Sequence, residues 1–186
     1  MDLIYLDPPF NSNRDYEAPI GSVAAGAAFK DTWTLSDLDV AWMGLIADEH
    51  PAIYQTLVAA GLTHGKSMQS YLCMMAVRLL EMRRVLKNTG SVYLHCDTTA
   101  SHYLKLTLDA TFGEGHFGNE IIWQRSNPKG LASTRFARNH DVILRVTKSV
   151  SAVWNPMYAE HPSDSVKKQY NRRDADGRLY QLTSLT

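Results

Sequence analysis

Asp2-Leu3-Ile4-Tyr5-Leu6-Asp7-Pro8-Pro9-Phe10 is the stretch on which the rest of the chain is read. Leu3 to Leu6 is a short apolar run rich in strand formers, and Pro8 and Pro9 cut it off, since proline lacks a backbone N–H for a sheet ladder and locks φ. A buried strand ending at Asp7 is predicted. With Asp and Pro each near 5 % of average usage, Asp-Pro-Pro before Phe or Tyr arises by chance in about two chains per thousand of this length. Coincidence is therefore a poor account. The bland alternative is a turn that Asp caps and two prolines stiffen.

Outward from this strand, residues 11 to 34 show no sustained periodicity, and so long a loop inside a compact domain is more often functional than filler. Ser36 reads as the N-cap of a helix through about Asp48, and Pro51 opens a second that ends near Gly61. Met68, Leu72, Met75, Leu79, Met82 and Leu86 alternate in steps of four and three, which predicts a helix from Ser67 to about Lys87 with one apolar stripe. Arg83, Arg84 and Lys87 stand in its last turns, where cations suit the helix dipole. After Gly90 come a strand at Ser91–Cys96, caps at Asp97-Thr-Thr and a helix through Phe112. Strand, helices, strand, helix predicts an α/β fold with parallel strands and helical crossovers. Two later strands, Glu120–Gln124 and Asp141–Val146, have a polar, basic link and no helix between them, so they are expected to pair antiparallel. The reading divides the chain into residues 1–150 and a polar, irregular segment 151–186.

The 186 residues are 45 % hydrophobic and 20 % charged, which excludes disordered, collagenous and mucin-like classes. No apolar run approaches the roughly 18 residues of a membrane span, and no export signal is evident, so a cytoplasmic protein with no membrane partner is expected. Cys73 and Cys96 have no metal or redox spacing and are read as core thiols. The formal net charge is zero, yet residues 1 to 124 carry 8 basic against 14 acidic side chains, and residues 125 to 186 carry 11 against 5. A basic segment beside an acidic body points to phosphate contact, with a merely solvated surface as the alternative.

The chemistry of Asp7 to Phe10 follows from what an exocyclic amine on a nucleobase needs before it can attack an electrophile. Its lone pair is delocalised into the ring. A carboxylate accepting one amine hydrogen and a backbone carbonyl accepting the other favour a pyramidal nitrogen with a localised lone pair. Asp7 supplies the carboxylate and Pro8 the carbonyl, its direction fixed by the ring; Pro9 stiffens the turn; Phe10 can stack on the base. These four are the candidate catalytic residues.

Here the chain resembles the amino-group DNA methyltransferases that modify adenine N6 or cytosine N4 with S-adenosylmethionine. The similarity carries Asp7 to Phe10, Asn11-Ser-Asn-Arg-Asp-Tyr16, Ala27-Ala-Phe-Lys-Asp-Thr-Trp33, Ser91-Val-Tyr-Leu-His-Cys-Asp97, Ala100-Ser-His-Tyr-Leu-Lys105, Asn119-Glu-Ile-Ile-Trp123 and Asn139-His-Asp141. It implies a partial, permuted Rossmann-like methyltransferase fold, S-adenosylmethionine as cofactor with Asp7 beside it, and double-stranded DNA with an adenine flipped out as substrate. It also implies a restriction subunit as partner. Residues 1–150 would be the catalytic half and 151–186 the start of the target-recognition region.

The family's glycine-rich F-x-G-x-G strand-turn is not in the sequence. Phe112-Gly-Glu-Gly115 is superficially similar but closes a helix, and reads as a C-cap. The chain is therefore expected to be a fragment of a longer methyltransferase, without most of the cofactor pocket and inactive alone. An RNA N-methyltransferase and a non-catalytic DNA-binding remnant are the alternatives.

Arg125, Lys129, Arg135 and Arg138, in and around the link between the late strands, are the candidate DNA-binding residues. Lys167, Lys168, Arg172, Arg173 and Arg178, interleaved with Tyr170 and Tyr180, would open target recognition. His95, Asp97 and His102 match no familiar zinc spacing, and no metal site is assigned. Asp174-Ala-Asp-Gly177 reads as a turn rather than a calcium loop. Trp33, Trp42, Trp123 and Trp154 read as core residues.

Overall fold

The computed structural model describes residues 1–10, 15–17, 28–30, 37–129, 136–158 and 170–181. The elements in chain order are β1 (Leu3–Leu6), β2 (Asp15–Glu17), β3 (Ala28–Lys30), α1 (Asp37–Glu49), α2 (Pro51–Thr63), α3 (Lys66–Val85), β4 (Ser91–Cys96), α4 (Ser101–Phe112), a 3-10 turn (Glu114–His116), β5 (Phe117–Lys129), β6 (Arg138–Thr147), β7 (Arg172–Arg173) and β8 (Leu179–Tyr180). Two compact units result, Met1–Val153 and Trp154–Thr186.

The first unit is built on a four-stranded sheet in the order β1-β4-β6-β5. β1 and β4 are parallel, Leu3 facing Ser91 and Leu6 facing Leu94, with the helices α1 to α3 in the connection between them. The expected crossover is therefore present. β5 and β6 pair antiparallel, as their short helix-free link requires, but β6 also inserts against β4, Leu94 opposite Leu144 and Cys96 opposite Val142. Only one of the three strand pairs is parallel.

β1 departs from the buried strand expected at the N-terminus. It is the edge strand, and its burial alternates: Leu3 and Tyr5 are exposed, Ile4 and Leu6 half-buried. An edge strand keeps one face on the core, so the period-two alternation overrides the run of apolar letters. Its backbone is tied down by its neighbours. The Lys87 N–H donates to the Met1 carbonyl at 2.8 Å and the Ser91 N–H to the Asp2 carbonyl at 3.1 Å. Gly90 makes this approach feasible, because a Cβ there would lie 3.0 Å from that carbonyl and 2.7 Å from Leu86. The segment read as an unbroken loop contains β2 and β3, with Tyr16 opposite Phe29; aromatic residues suit a short strand pair even without alternation around them.

The core lies on one face of the sheet. The stripe of α3 is buried there, Leu72, Met75 and Leu79 at 0 % exposure, with Val92, Leu94 and Cys96 of β4, Val142, Leu144 and Val146 of β6, and Leu104 and Leu108 of α4. α4 starts behind a turn in which the Asp97 carboxylate accepts the N–H groups of Thr99 at 2.9 Å and Ala100 at 3.2 Å. It ends at Gly113, whose φ of 95° suits a residue without Cβ and whose N–H donates to the Asp109 carbonyl at 2.8 Å. Phe112-Gly-Glu-Gly115 is thus a helix stop.

The other face is different. Trp123 is 60 % exposed there, and Leu3, Tyr5 and Ile121 are exposed with it. The core reading of the tryptophans holds for Trp42, packed partly buried against the cluster, and fails for Trp123 and Trp154; Trp33 lies outside the described residues. For Trp123 the reason is its place on an edge strand's outer face.

In the second unit, β7 and β8 form a small hairpin with Gly177 at φ 81°. Asp174 Oδ1 accepts the N–H groups of Asp176 at 3.0 Å and Arg178 at 2.8 Å, so the carboxylate serves its own turn rather than a cation. Lys167 and Lys168 lie outside the described residues.

Candidate active site

Strand parity brings the polar residues together. Leu3, Tyr5 and Asp7 point alternately to the open face, as do Tyr93 and His95 on β4, and Asp141, Ile143 and Arg145 on β6. Because β1 and β4 are parallel, both carboxyl ends lie at the same end of the sheet. Asp7 and Asp97 leave from there, and β6 enters there with Asp141. The carboxyl ends of parallel strands are where open α/β sheets place their ligands.

At this end four side chains form a continuous line. His95 Nδ1 lies 3.1 Å from Asp7 Oδ1, and His95 Nε2 lies 3.6 Å from Asp141 Oδ2. His95 opposes Ile143, which makes Asp141 its diagonal neighbour on the same face. Arg125 in turn grips Asp141 with both prongs, Nε to Oδ2 at 2.6 Å and Nη2 to Oδ1. Phe10 closes the group from the side, its ring meeting His95 edge-to-face at 5.2 Å and 73°. Exposure falls along the line from 59 % for the Asp7 side chain to 17 % for His95 and 9 % for Asp141. The outermost carboxylate faces solvent while the inner one is held. Pro8 and Pro9 are half-buried between β1 and Phe10.

Cys96 stands next to His95 but on the core face. Burial, reinforced by the negative charges of Asp97, Glu120 and Asp141, pushes its thiol up to about 12, so it stays protonated and is no nucleophile. Cys73 is buried as well.

Of the four basic candidates, Arg125 is taken up by Asp141, which leaves it inside this line rather than reaching outward. Arg138 starts β6 and donates to Thr99 Oγ1 at 3.3 Å from an exposed position. Lys129 ends β5 opposite Arg138, its side chain outside the described residues, as is the whole of Arg135. His95 and Asp141 were missed as site residues. His95 could have been found: a histidine alternating with Val92, Leu94 and Cys96 stands on the face opposite the core, on the strand adjacent to the one bearing Asp7. Among the described residues no three His, Cys, Asp or Glu side chains converge to hold a metal, and Asp97 is used as a cap. No described helix is long and apolar enough to cross a membrane. A groove of about 290 Å³ between α1 and α3 is lined by Trp42, Ile46 and Glu81 among others, and by none of the site residues.

The described residues thus form an α/β sheet with an acidic-proline-proline-aromatic segment at the carboxyl end of its parallel pair. The chain belongs to the N6/N4 methyltransferase family, described as DNA methylase, whose model matches residues 1–183. It is 32 % identical over 151 residues to the StyLTI Mod subunit, part of a type III restriction-modification enzyme of Salmonella typhimurium, covering 80 % of this chain and 21 % of that protein. It is 30 % identical over 110 residues to the type II methyltransferase M.EcaI of Enterobacter cloacae, covering 59 % and 24 %. The EcoP15I Mod subunit of Escherichia coli is 23 % identical over 153 residues, 80 % of this chain and 21 % of that one. The chain thus spans about a fifth to a quarter of the length of these relatives. The crystal structure of the M1.HpyAVI–SAM complex overlaps 47 % of this chain and 46 % of its own at 16 % identity, with a TM-score of 0.38.

The Asp7 side chain is mostly exposed, and the groove between α1 and α3 lies away from it.

Proposed function

We propose that this chain carries the amine-activating part of a DNA methyltransferase that methylates adenine at N6 within a restriction-modification system. Asp7 accepts one hydrogen of the amine and the Pro8 carbonyl the other, which localises the nitrogen lone pair, while Phe10 sets the plane of the base. The base is flipped out of the duplex, since a stacked and paired amine cannot be approached in line by the methyl donor. Arg138, with Lys129 and Arg135, follows the phosphate backbone, and residues 151–186 begin the target-recognition region. The methyl donor is bound largely by parts beyond these residues, so the chain by itself is inactive; a restriction subunit is its partner and the cytoplasm its compartment.

The observation that carries this reading is the position of Asp7: an exposed carboxylate, next in sequence to Pro8, at the carboxyl end of the parallel pair. The family's description as DNA methylase supports DNA over RNA as substrate, and the restriction-modification name of a relative supports the system. In a full-length protein containing this chain, Asp7→Ala is expected to lower methyl transfer to duplex DNA by about 10²- to 10³-fold or more, the loss typical of one preorganised polar group. Duplex affinity should stay within a few-fold. Methyl transfer at the unsubstituted rate would refute the role.

A further inference from the structure

His95 has no part in the reading above, yet its side chain is only 17 % exposed at that end of the sheet. Asp7 sits on an exposed turn, where burial does nothing to select one orientation of its carboxylate; the contact that does is His95 Nδ1, 3.1 Å from Oδ1. The imidazole is fixed in turn by its burial, by the edge of Phe10 at 5.2 Å and by strand β4 itself. We propose that His95 is a positioning residue for Asp7: its Nδ1–H holds one carboxylate oxygen and thereby aims the other at the amine of the base. This rests on the role of Asp7 stated above.

The proton is assigned to Nδ1 by elimination. A bare lone pair on Nδ1 would face the Asp7 carboxylate at hydrogen-bond distance, two acceptors in repulsion. The opposite ring nitrogen tolerates either state. Nε2 is buried without a hydrogen-bond partner among the described residues, and its 3.6 Å to Asp141 Oδ2 is too long for a hydrogen bond. Arg125 neutralises Asp141, which removes most of the pull that would otherwise fix a proton on Nε2. The inner pair Asp141–Arg125 thus walls the ring from behind, and the outer 3.1 Å contact aims Asp7.

Two substitutions separate the nitrogens, because an asparagine amide places its donor near where Nδ1 sits and a glutamine amide near Nε2. In the full 186-residue chain, the 13C signal of the Asp7 carboxylate is expected to keep its position in His95→Asn and to shift in His95→Gln. Equal shifts in both, or none in either, overturn the proposal. Asp7→Ala, on an exposed turn, gives a second measurement that does not depend on either variant folding. The 15N signals of the His95 ring should change from a hydrogen-bonded, protonated Nδ1 toward a mixture of tautomers while the other histidines stay in place. An unchanged His95 ring overturns the proposal. Both measurements need no DNA, so their failure breaks the His95–Asp7 link alone, whereas the amine reading stands or falls with methyl transfer by Asp7→Ala.

Discussion

β4 presents two faces that alternate residue by residue, and they do different work. Val92, Leu94 and Cys96 are completely buried among apolar side chains, whereas Tyr93 and His95, one step away along the same backbone, are only partly buried, on the face that carries Asp7, Asp141 and Arg145. The first face is held by burial of close-packed apolar groups, which needs no directed polar partner. The second is held by directed pairs in which each charge depends on the next. Stability and chemistry are therefore separable by parity within one strand.

The largest expected effect is on the buried side. Leu94→Ala should lower unfolding stability by about 2–5 kcal/mol, through lost transfer energy and the cavity left behind, while Tyr5→Ala on the open face should stay within about 0.5 kcal/mol. Urea midpoints decide; equal losses would erase the contrast. Asp141→Ala comes next. It leaves the Arg125 guanidinium, 17 % exposed, without its carboxylate, a loss of about 1–3 kcal/mol. Arg125→Ala and Asp141→Ala combined should cost less than the sum of the two, and strict additivity would show that the pair is not coupled.

A third test uses the thiol that marks the boundary between the faces. The folded value for Cys96, about 12, lies above the ordinary 9.0, so its contribution to stability is fully present below pH 9 and is lost as pH rises toward 12. The thermal midpoint should therefore fall over that window, less so in Cys96→Ala, and a thiol reagent at pH 8 should label Cys96 only with denaturant. Rapid labelling of the native chain would place Cys96 outside the core. The smallest effect is at the sheet's other end. The hydrogen bond and charge of Lys87 hold the Asp2 carboxyl below its ordinary 3.8. Its contribution is present above pH 3.8 and vanishes as pH falls through the lower folded value, so Asp2→Asn should differ from the parent in neutral urea melts only slightly and not at all in strong acid.

The two faces also differ in how far they could be read from sequence. The apolar one was largely legible. The stripe from Met68 to Leu86 gave α3, Gly113 gave the end of α4, Pro8 the end of β1, and the helix-free link gave the antiparallel β5–β6 pair. What escaped was pairing at a distance: no local pattern says that β6 lies between β4 and β5, or that β1 is an edge whose Leu3 and Tyr5 face outward. The site was half legible for the same reason. Asp7 to Phe10 is contiguous and stands out, but His95 and Asp141 come together only through the β4–β6 register, across 46 positions in the chain. Arg125, counted among loop cations, belongs instead to β5, two residues beyond Trp123, where strand parity turns it toward Asp141.

The claim on which the account turns is that the Asp7 carboxylate engages an adenine amine, and a cycle that varies both partners tests it most directly. In a full-length protein containing this chain, affinity is measured for a duplex with adenine at the methylated position and for the same duplex with purine, which lacks only the amine, each with Asp7 and with Asp7→Ala. Removing the amine should weaken binding by the original protein relative to the variant, a coupling of about 0.5–1.5 kcal/mol, the net worth of a typical hydrogen bond, since the pairing that purine loses acts on both proteins alike. If the amine matters equally whether or not the carboxylate is present, Asp7 does not touch it.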